Sequence, residues 1–418
     1  MYIKRAIEET IDKTEKSFKA ILVTGPRQVG KSTVLRHMFE DRKYITFDDP
    51  VLLSETKMEP GLFFRNNKPP VILDEVQYIS ELFPYIKMEC DKTDDKGRFC
   101  LTGSQQYHLM KNVSESLAGR IGILELSGLS MRELTGAEFH MPFVPTEDYI
   151  RERGKNYKKI ENIWELIHRG GYPALINQDV EWQMFYGSYV QTYIDRDINE
   201  LGKVKDKLKF TKFLTAMAAR TGQMLNYSNV AEQVEVSVST VKEWTSLLEA
   251  SGIIYIMQPF SNSALNRAIK TPKLYFRDTG LVCFLTKYQT AETAMNGAMA
   301  GELFETFVVS EILKSFTNAG RDYRMNVSYY RGKDKQTRTN NGQKSERELE
   351  IDLIIEQDDV LYPIEIKMSA NPKLGMTNAF DVIDKVNGKT RGLGIILCMY
   401  ESPLWLKDNI VALPVEYI

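Results

Sequence analysis

The sequence predicts an α/β chain: a parallel sheet in front, a helical stretch, a helix-turn-helix module, and a second α/β unit behind it. Three observations carry this prediction. In "KAILVTGPRQVGKSTVLRHMF" (19–39) a short apolar strand runs through a glycine-rich turn into an amphipathic helix. In "PPVILDEVQ" (69–77) an apolar β run follows two proline breakers and ends in two acids. In "EIDLIIEQDDVLYPIEIK" (350–367) apolar and charged residues alternate as in a two-stranded hairpin. At 418 residues the chain is too long for one ordinary core, which predicts several domains.

The first segment supplies a phosphate cradle. Ala20–Val23 reads as the strand, and Val34, Leu35 and Met38 share one face of the helix. Between them stands GxxxxGK[ST] in the strand–loop–helix context the motif requires. The expected ATP-binding loop is Gly25, Pro26, Arg27, Gln28, Val29, Gly30, Lys31, Ser32 and Thr33. Gly25 and Gly30 let the loop wrap closely, so that its N–H groups face the phosphates. Lys31 is expected to reach the β- and γ-phosphates and Ser32 to give an oxygen to Mg²⁺, with the helix N-terminus adding positive partial charge.

The second segment delivers Asp74 and Glu75 at the C-terminal end of the strand Val71–Leu73, the end where open parallel sheets place ligands. Asp74 is expected to hold Mg²⁺ through its water shell and Glu75 to orient or deprotonate an attacking water. Capping the next helix is the other role open to this pair. A third strand, "RFCLTGS", ends in Thr102, Gly103 and Ser104. Ser104 reads either as a γ-phosphate sensor or as part of an ordinary β-turn. In "ESLAGRIGILEL", Arg120 precedes another strand and reads either as an arginine finger or as a surface arginine.

The set "GPRQVGKST", "ILDEVQ", "LTGSQ", "LAGR" and "LSGLSMREL" resembles the prokaryotic AAA-type P-loop ATPases. Further on, "GGYPALI", "YVQTYIDRDI", "YFRDTGL" and "GELFETFVVSEILK" resemble landmarks in the C-terminal half of the same family, so the likeness extends over residues 18–370. It implies an AAA-type P-loop NTPase sheet with a helical lid. One departure is Gly128, where a proline is expected before Leu129. The expected divisions are an ATPase core at 1–136, a helical lid at 137–205, a winged helix-turn-helix at 206–275 and a nuclease-like domain at 276–418.

In the lid, "IWELIHRGGYPALI" and "WQMFYGSYVQTYIDRDINEL" are amphipathic and rich in aromatics, which read as core. The run "RERGKNYKK" reads as a solvated loop. In "YSNVAEQVEVSVSTVKEWTSLLEASGIIYIMQPF", Ser228 is expected to cap a helix ending at Val234, and Ser237 or Ser239 the next, which Gly252 stops. Val241, Trp244, Leu247 and Leu248 would line its buried face, with Ser239, Thr240, Lys242 and Glu243 turned outward. Residues 206–260 hold five basic and five acidic side chains, which restrains a DNA-binding reading, since phosphate contacts dominate such binding. Arg267, Lys270 and Lys273 in the expected wing favour it. DNA contact and a protein-interaction role both stay open here.

If the hairpin turn centres on Asp358–Asp359, Asp352 faces Glu365 and Glu350 faces Lys367, with all four on one face. Two carboxylates to hold a metal and a lysine near the attacked phosphate would then be together. A merely solvated outer face would alternate in the same way. The helix "GELFETFVVSEILK" before the hairpin, with Leu303, Phe307, Val308 and Ile312 inward, makes the order resemble the PD-(D/E)xK nuclease, restriction-endonuclease-like fold. That resemblance implies Glu305 as a third metal ligand, with Glu302 a second candidate. The polar insert at 331–348 tracks a nucleic-acid backbone or is a loop tip.

Formal net charge is −2, so no global field draws nucleic acid, and any DNA or RNA contact must be local. Cys90, Cys100, Cys283 and Cys398 form no CxxC pair, which points away from zinc or a disulfide framework. No run of 18 apolar residues and no apolar leader is visible, so a cytoplasmic protein is expected. A homo-oligomer is compatible with a finger supplied in trans. The resulting expectation is an ATP- and Mg²⁺-dependent switch or motor coupled to a DNA-binding, nuclease-like region. The alternative is a signalling ATPase whose far domains bind a protein partner.

Overall fold

The computed structural model describes residues 2–103, 113, 115–177, 180–193, 206–261, 271–334 and 347–418. The front unit runs α1 (Glu8–Ser17), β1 (Ala20–Thr24), α2 (Lys31–Met38), β2 (Lys43–Thr46), α3 (Pro50–Met58), α4 (Pro60–Asn66), β3 (Val71–Asp74), α5 (Phe83–Asp91), β4 (Phe99–Gly103) and β5 (Ile121–Glu125). Its five strands lie in the order β2-β3-β4-β1-β5, all parallel. The apolar runs AILVT, VILD and FCLTG are buried throughout, as strands covered on both faces must be. In α3, Pro50 sits in the first turn, where a missing N–H costs nothing, and Asp49 accepts from Val51 and Leu52. β1 lies between β4 and β5, with Thr24 opposite Gly103 and Glu125. The loops after β1 and β3 therefore open at the same end of the sheet.

A capped turn of helix, α6 (Met131–Thr135), leads into α7 (Glu147–Asn156), α8 (Ile163–Arg169), α9 (Pro173–Asn177) and α10 (Trp182–Tyr193). Trp164, Tyr172, Phe185, Tyr186 and Tyr189 are buried, so these aromatics are core. The run "RERGKNYKK" is not a solvated loop along its length. Its first six residues complete α7, and Arg153 is buried with its guanidinium on the Glu416 carbonyl at 2.8 Å. Charge density alone misread it, because one face of a short amphipathic helix carries the buried member.

The next unit is α11 (Lys207–Ala218), β6 (Gln223–Met224), α12 (Tyr227–Val234), α13 (Val238–Ala250), β7 (Ile254–Met257) and β8 (Lys273–Phe276), with sheet order β6-β8-β7. Asn226, not Ser228, caps α12, since its side chain reaches the Ser228 and Asn229 amides. Ser237 caps α13, and Gly252 follows it at φ +74°. Val241, Trp244, Leu247 and Leu248 are buried, with the Phe210 and Phe213 rings 5.2 and 5.3 Å from Trp244.

After α14 (Thr279–Leu285) and α15 (Ala291–Met295) comes α16 (Ala300–Asn318), buried around most of its circumference. A seven-stranded sheet closes the chain: β9 (Val327–Asp334), β10 (Arg347–Gln357), β11 (Val360–Lys367), β12 (Thr390–Arg391), β13 (Gly394–Cys398), β14 (Leu404–Lys407) and β15 (Ile410–Pro414). β9, β10 and β11 are antiparallel, while β11, β13 and β15 are parallel. Leu353 pairs with Ile364 and Gln357 with Val360, so the turn does centre on Asp358 and Asp359, both in the left-handed region. Simple alternation on β10 fails at one place. Its register with β9 shifts between Ile351 and Ile354, a bulge at Asp352–Leu353 that re-aims side chains.

One hydrophobic cluster runs from Ile7 and Val34 through Trp164, Trp244, Phe307 and Leu353 to Ile418. α16 joins it to the front unit by polar bonds as well. The Met131 amide donates to Glu311 at 2.7 Å, and Lys314 donates to the Leu129 carbonyl at 3.0 Å. Among the described residues no helix is long and apolar enough to cross a membrane. The four cysteines are buried and free.

Candidate functional site

The loop Gly25–Thr33 leaves β1 and enters α2 with three residues at positive φ: Gly25 at +143°, Gln28 at +63° and Gly30 at +93°. A Cβ at Gly25 would lie 2.0 Å from the Leu126 carbonyl oxygen, so only glycine lets the loop seat on the strand beside it. Lys31 is buried and donates to the Gly25 and Pro26 carbonyls at 3.1 and 2.8 Å. Ser32 at the start of α2 donates to Asp74 Oδ1 at 2.7 Å, across from the end of β3. Thr102 on β4 donates to the same oxygen, and Tyr44 on β2 donates to Oδ2 at 2.5 Å. Burial and the Asp74 contact raise the Tyr44 phenol above its ordinary value, so it stays a donor. Glu75 sits at φ +57°, its amide on Thr102 Oγ1 and its carboxylate held by the Gln77 side chain.

The sequence did not single out the support beneath the loop. Arg5 donates to the Val29 carbonyl at 2.8 Å, the Ser127 carbonyl at 2.7 Å and Glu133 at 2.9 Å. Glu133 also accepts from the Ser130 and Ala6 amides. Burial works against its charge, but Arg5 and these amides hold its carboxyl below the ordinary value of 4.5. Arg5 lies outside every motif, and that is why pattern reading passed over it.

Arg120 precedes β5, at the N-terminal end of the sheet. β1 and β5 are parallel, so it is one strand length, about 15 Å, from the loop of its own chain. There its guanidinium pairs with Asp91 at 2.6 and 3.1 Å. Ser104 lies outside the described residues, as do Arg267, Lys270 and most of the 331–348 insert.

The second cluster gathers on α16, β10, β11 and, unforeseen, β8. Lys367 Nζ is 2.6 Å from Glu365 and 3.4 Å from Asp352, so the two hairpin carboxylates converge. The Ile366 amide donates to Asp352 at 2.9 Å. Glu305 reaches the cluster from α16 and accepts from the Tyr275 hydroxyl at 2.6 Å. Lys273, expected on an exposed wing, is instead 3% exposed and points inward. Its ammonium is 2.6 Å from Glu350, 3.3 Å from Glu305 and 4.0 Å from Asp352. Burial and the Asp352 charge push Glu305 up to about 7 and Glu365 up to about 8. Burial opposes the charge on Lys273, yet Glu305, Asp352 and Glu350 raise it above its ordinary value.

The two sites differ in fit. A hydroxyl, a carboxylate and a loop of N–H groups around Lys31 suit Mg²⁺ and a polyphosphate. Glu305, Asp352 and Glu365, expected to share a metal, have a lysine among them instead. Among the described residues no group of three or more His, Cys, Asp or Glu is arranged to hold a metal ion.

Residues 17–135 match an AAA domain. The front of this chain is an AAA-type P-loop domain. Behind the AAA-type domain, residues 160–292 and 300–418 match two domains of unknown function, DUF8612 and DUF4143. Uncharacterised proteins of Mycobacterium bovis and Mycobacterium tuberculosis are each 25% identical over 404 residues, 95% of this chain and 80% of theirs. Among solved structures, a Walker-type ATPase of Pyrococcus abyssi is 16% identical with a TM-score of 0.40, covering 68% of this chain and 96% of that one. The RuvB Holliday junction branch migration motor of Thermotoga maritima is 15% identical with a TM-score of 0.30, covering 60% and 88%.

Proposed function

We propose that this chain is a Mg²⁺-dependent ATPase working as a conformational switch, with nucleic acid the ligand of its C-terminal half. The ATPase part rests on one observation: the phosphate loop, Ser32, Asp74 and Glu75 meet at one end of a parallel sheet. Mg²⁺, when bound, would neutralise charge on the transferred phosphoryl group and its leaving group. The chain's own residues do the rest. Loop amides and Lys31 hold and orient the phosphates, and Ser32 with Asp74 offers oxygen donors to the metal. Glu75 takes or orients the proton of the attacking water.

In this proposal residues 206–275 act as a winged helix and 276–418 as a restriction-endonuclease-like α/β domain. The switch has a path: a Cβ at Gly252, after α13, would lie 3.1 Å from Pro26 of the phosphate loop. Arg277, after β8, pairs with Glu125 at the end of β5 and donates to Ser127 at 3.0 Å. A second function, a signalling ATPase whose far domains bind a protein and cut nothing, is favoured by the burial of Lys273 away from any DNA-facing wing.

Lys31→Ala should abolish or greatly weaken ATP binding, and Glu75→Gln should keep binding while stopping turnover. Calorimetric titration and phosphate release read the two separately. Equal loss of binding in both would remove Glu75 from the role of base. Duplex binding that weakens steeply with salt supports nucleic acid as ligand, and its absence supports the signalling ATPase.

A further inference from the structure

The cluster at the C-terminal sheet is built around a cation that belongs to the chain. Glu350, Glu305 and Asp352 surround the Lys273 ammonium at 2.6, 3.3 and 4.0 Å. The Tyr329 ring lies 5.6 Å from it, and the Tyr275 hydroxyl, two residues on along β8, closes on Glu305. The carboxylates come from α16 and β10, whereas the ammonium comes from β8 of the preceding unit. Asp352 lies in the irregular stretch of β10 between Ile351 and Ile354 and accepts from the Ile366 amide at 2.9 Å. Glu365 adds a fourth carboxyl. It is 8% exposed, one oxygen on Lys367 and the other buried with no hydrogen-bond partner among the described residues.

We propose that Lys273 is a built-in cation standing where a divalent metal would bind among Glu305, Glu350 and Asp352. While β8 is seated, the cluster takes up no Mg²⁺ or Mn²⁺. With the ammonium removed, it becomes a divalent-cation site. The physical reason is mutual exclusion. A metal bound to these carboxylates at about 2.1 Å would share oxygens with an ammonium already at hydrogen-bonding distance from Glu350 and Glu305 and 4.0 Å from Asp352, and two cations that close repel strongly. The charge count points the same way. Two ammonium groups, Lys273 and Lys367, face four carboxyls, with the Arg331 guanidinium opposite Glu350 on β9, so removing Lys273 leaves the carboxyls short of positive charge that a divalent ion can replace.

The test uses the full chain, nucleotide-free and stripped of metal with chelator, titrated with Mn²⁺ by calorimetry and by the electron paramagnetic resonance of free Mn²⁺. Wild type and Asp352→Asn should bind Mn²⁺ alike, any phosphate-loop site being common to both. Lys273→Met keeps the length of the stem and removes the charge. It should gain one site at least tenfold tighter than any in wild type, with a Mn²⁺-dependent rise in Tm, both lost in Lys273→Met/Asp352→Asn. Wild-type Mn²⁺ binding that Asp352→Asn removes would overturn the proposal, because metal and ammonium would then coexist. So would a folded Lys273→Met that gains no site. If Lys273→Met does not fold, the comparison of wild type with Asp352→Asn still decides whether the seated cluster takes metal.

Discussion

Gly25 shows how much one backbone position can decide. Its φ of +143° is open only to glycine, and the Leu126 carbonyl lies where a Cβ would go. Gly25→Ala should therefore lower Tm, by a cost of about 1–3 kcal/mol, and weaken ATP binding at least tenfold in a nucleotide titration. Arg5 and Glu133 act under the same loop, and the Glu133 carboxyl makes that support depend on pH. The Glu133 carboxyl is held below its unfolded value, so its contribution is complete above about pH 4.5 and is lost as pH falls through the lower folded value. Glu133→Gln should destabilise the protein at neutral pH by about 3 kcal/mol or more, since it leaves Arg5 buried without its partner. The variant should also lose part of the acid-side slope when denaturant midpoints are followed from pH 6 to pH 3. An unchanged slope would mean the pair is not the titrating element.

The elements that matter are the ones that meet across units. Gly252 ends α13 against Pro26, while Gly388, at φ +76°, has nothing among the described residues within 4 Å of where its Cβ would be. Both glycines carry the same backbone strain on substitution, but only Gly252 presses on the phosphate loop. Gly252→Ala should raise the Kd for ATP several-fold, and Gly388→Ala should leave it unchanged while lowering Tm. Equal ATP affinity in the two variants would rule out α13 as a sensor of the loop. The β10 bulge is a second decisive element. Strict alternation would set Ile354 on the opposite face from Ile351; the extra residue puts both in one cluster with Phe260 and Phe380, while Leu353 joins the main core on the other side.

Taken whole, the molecule has a sheet that separates Arg120 from its own phosphate loop. An isolated chain should therefore show the same ATP turnover with Arg120→Ala as with Arg120. If Arg120 instead serves a neighbouring copy, wild-type turnover per chain rises with protein concentration and the mutant's does not. Steady-state phosphate release over a hundredfold range of concentration distinguishes these outcomes. The hydrophobic cluster that runs from Ile7 to Ile418 also means that the far half cannot move without disturbing α16 and the loop at Leu129.

What could be read from the sequence was local. The phosphate loop, the acids ending β3, the helix capped by Ser237 and the hairpin turning at Asp358–Asp359 each depend on residues within one or two turns of chain, where spacing and backbone preference act directly. Asp352, Glu365 and Lys367 could be named as one group from the register of the hairpin, and Glu305 joined them only through the likeness to a nuclease-like fold. Lys273 could not. Its contacts lie 32, 77 and 79 residues away along the chain, and nothing in a wing-like stretch announces that its lysine will be buried. Arg5 meets Glu133 across 128 residues for the same reason. Long-range electrostatic partners are chosen by packing, once apolar faces have decided which elements touch, and only the tertiary structure makes that choice.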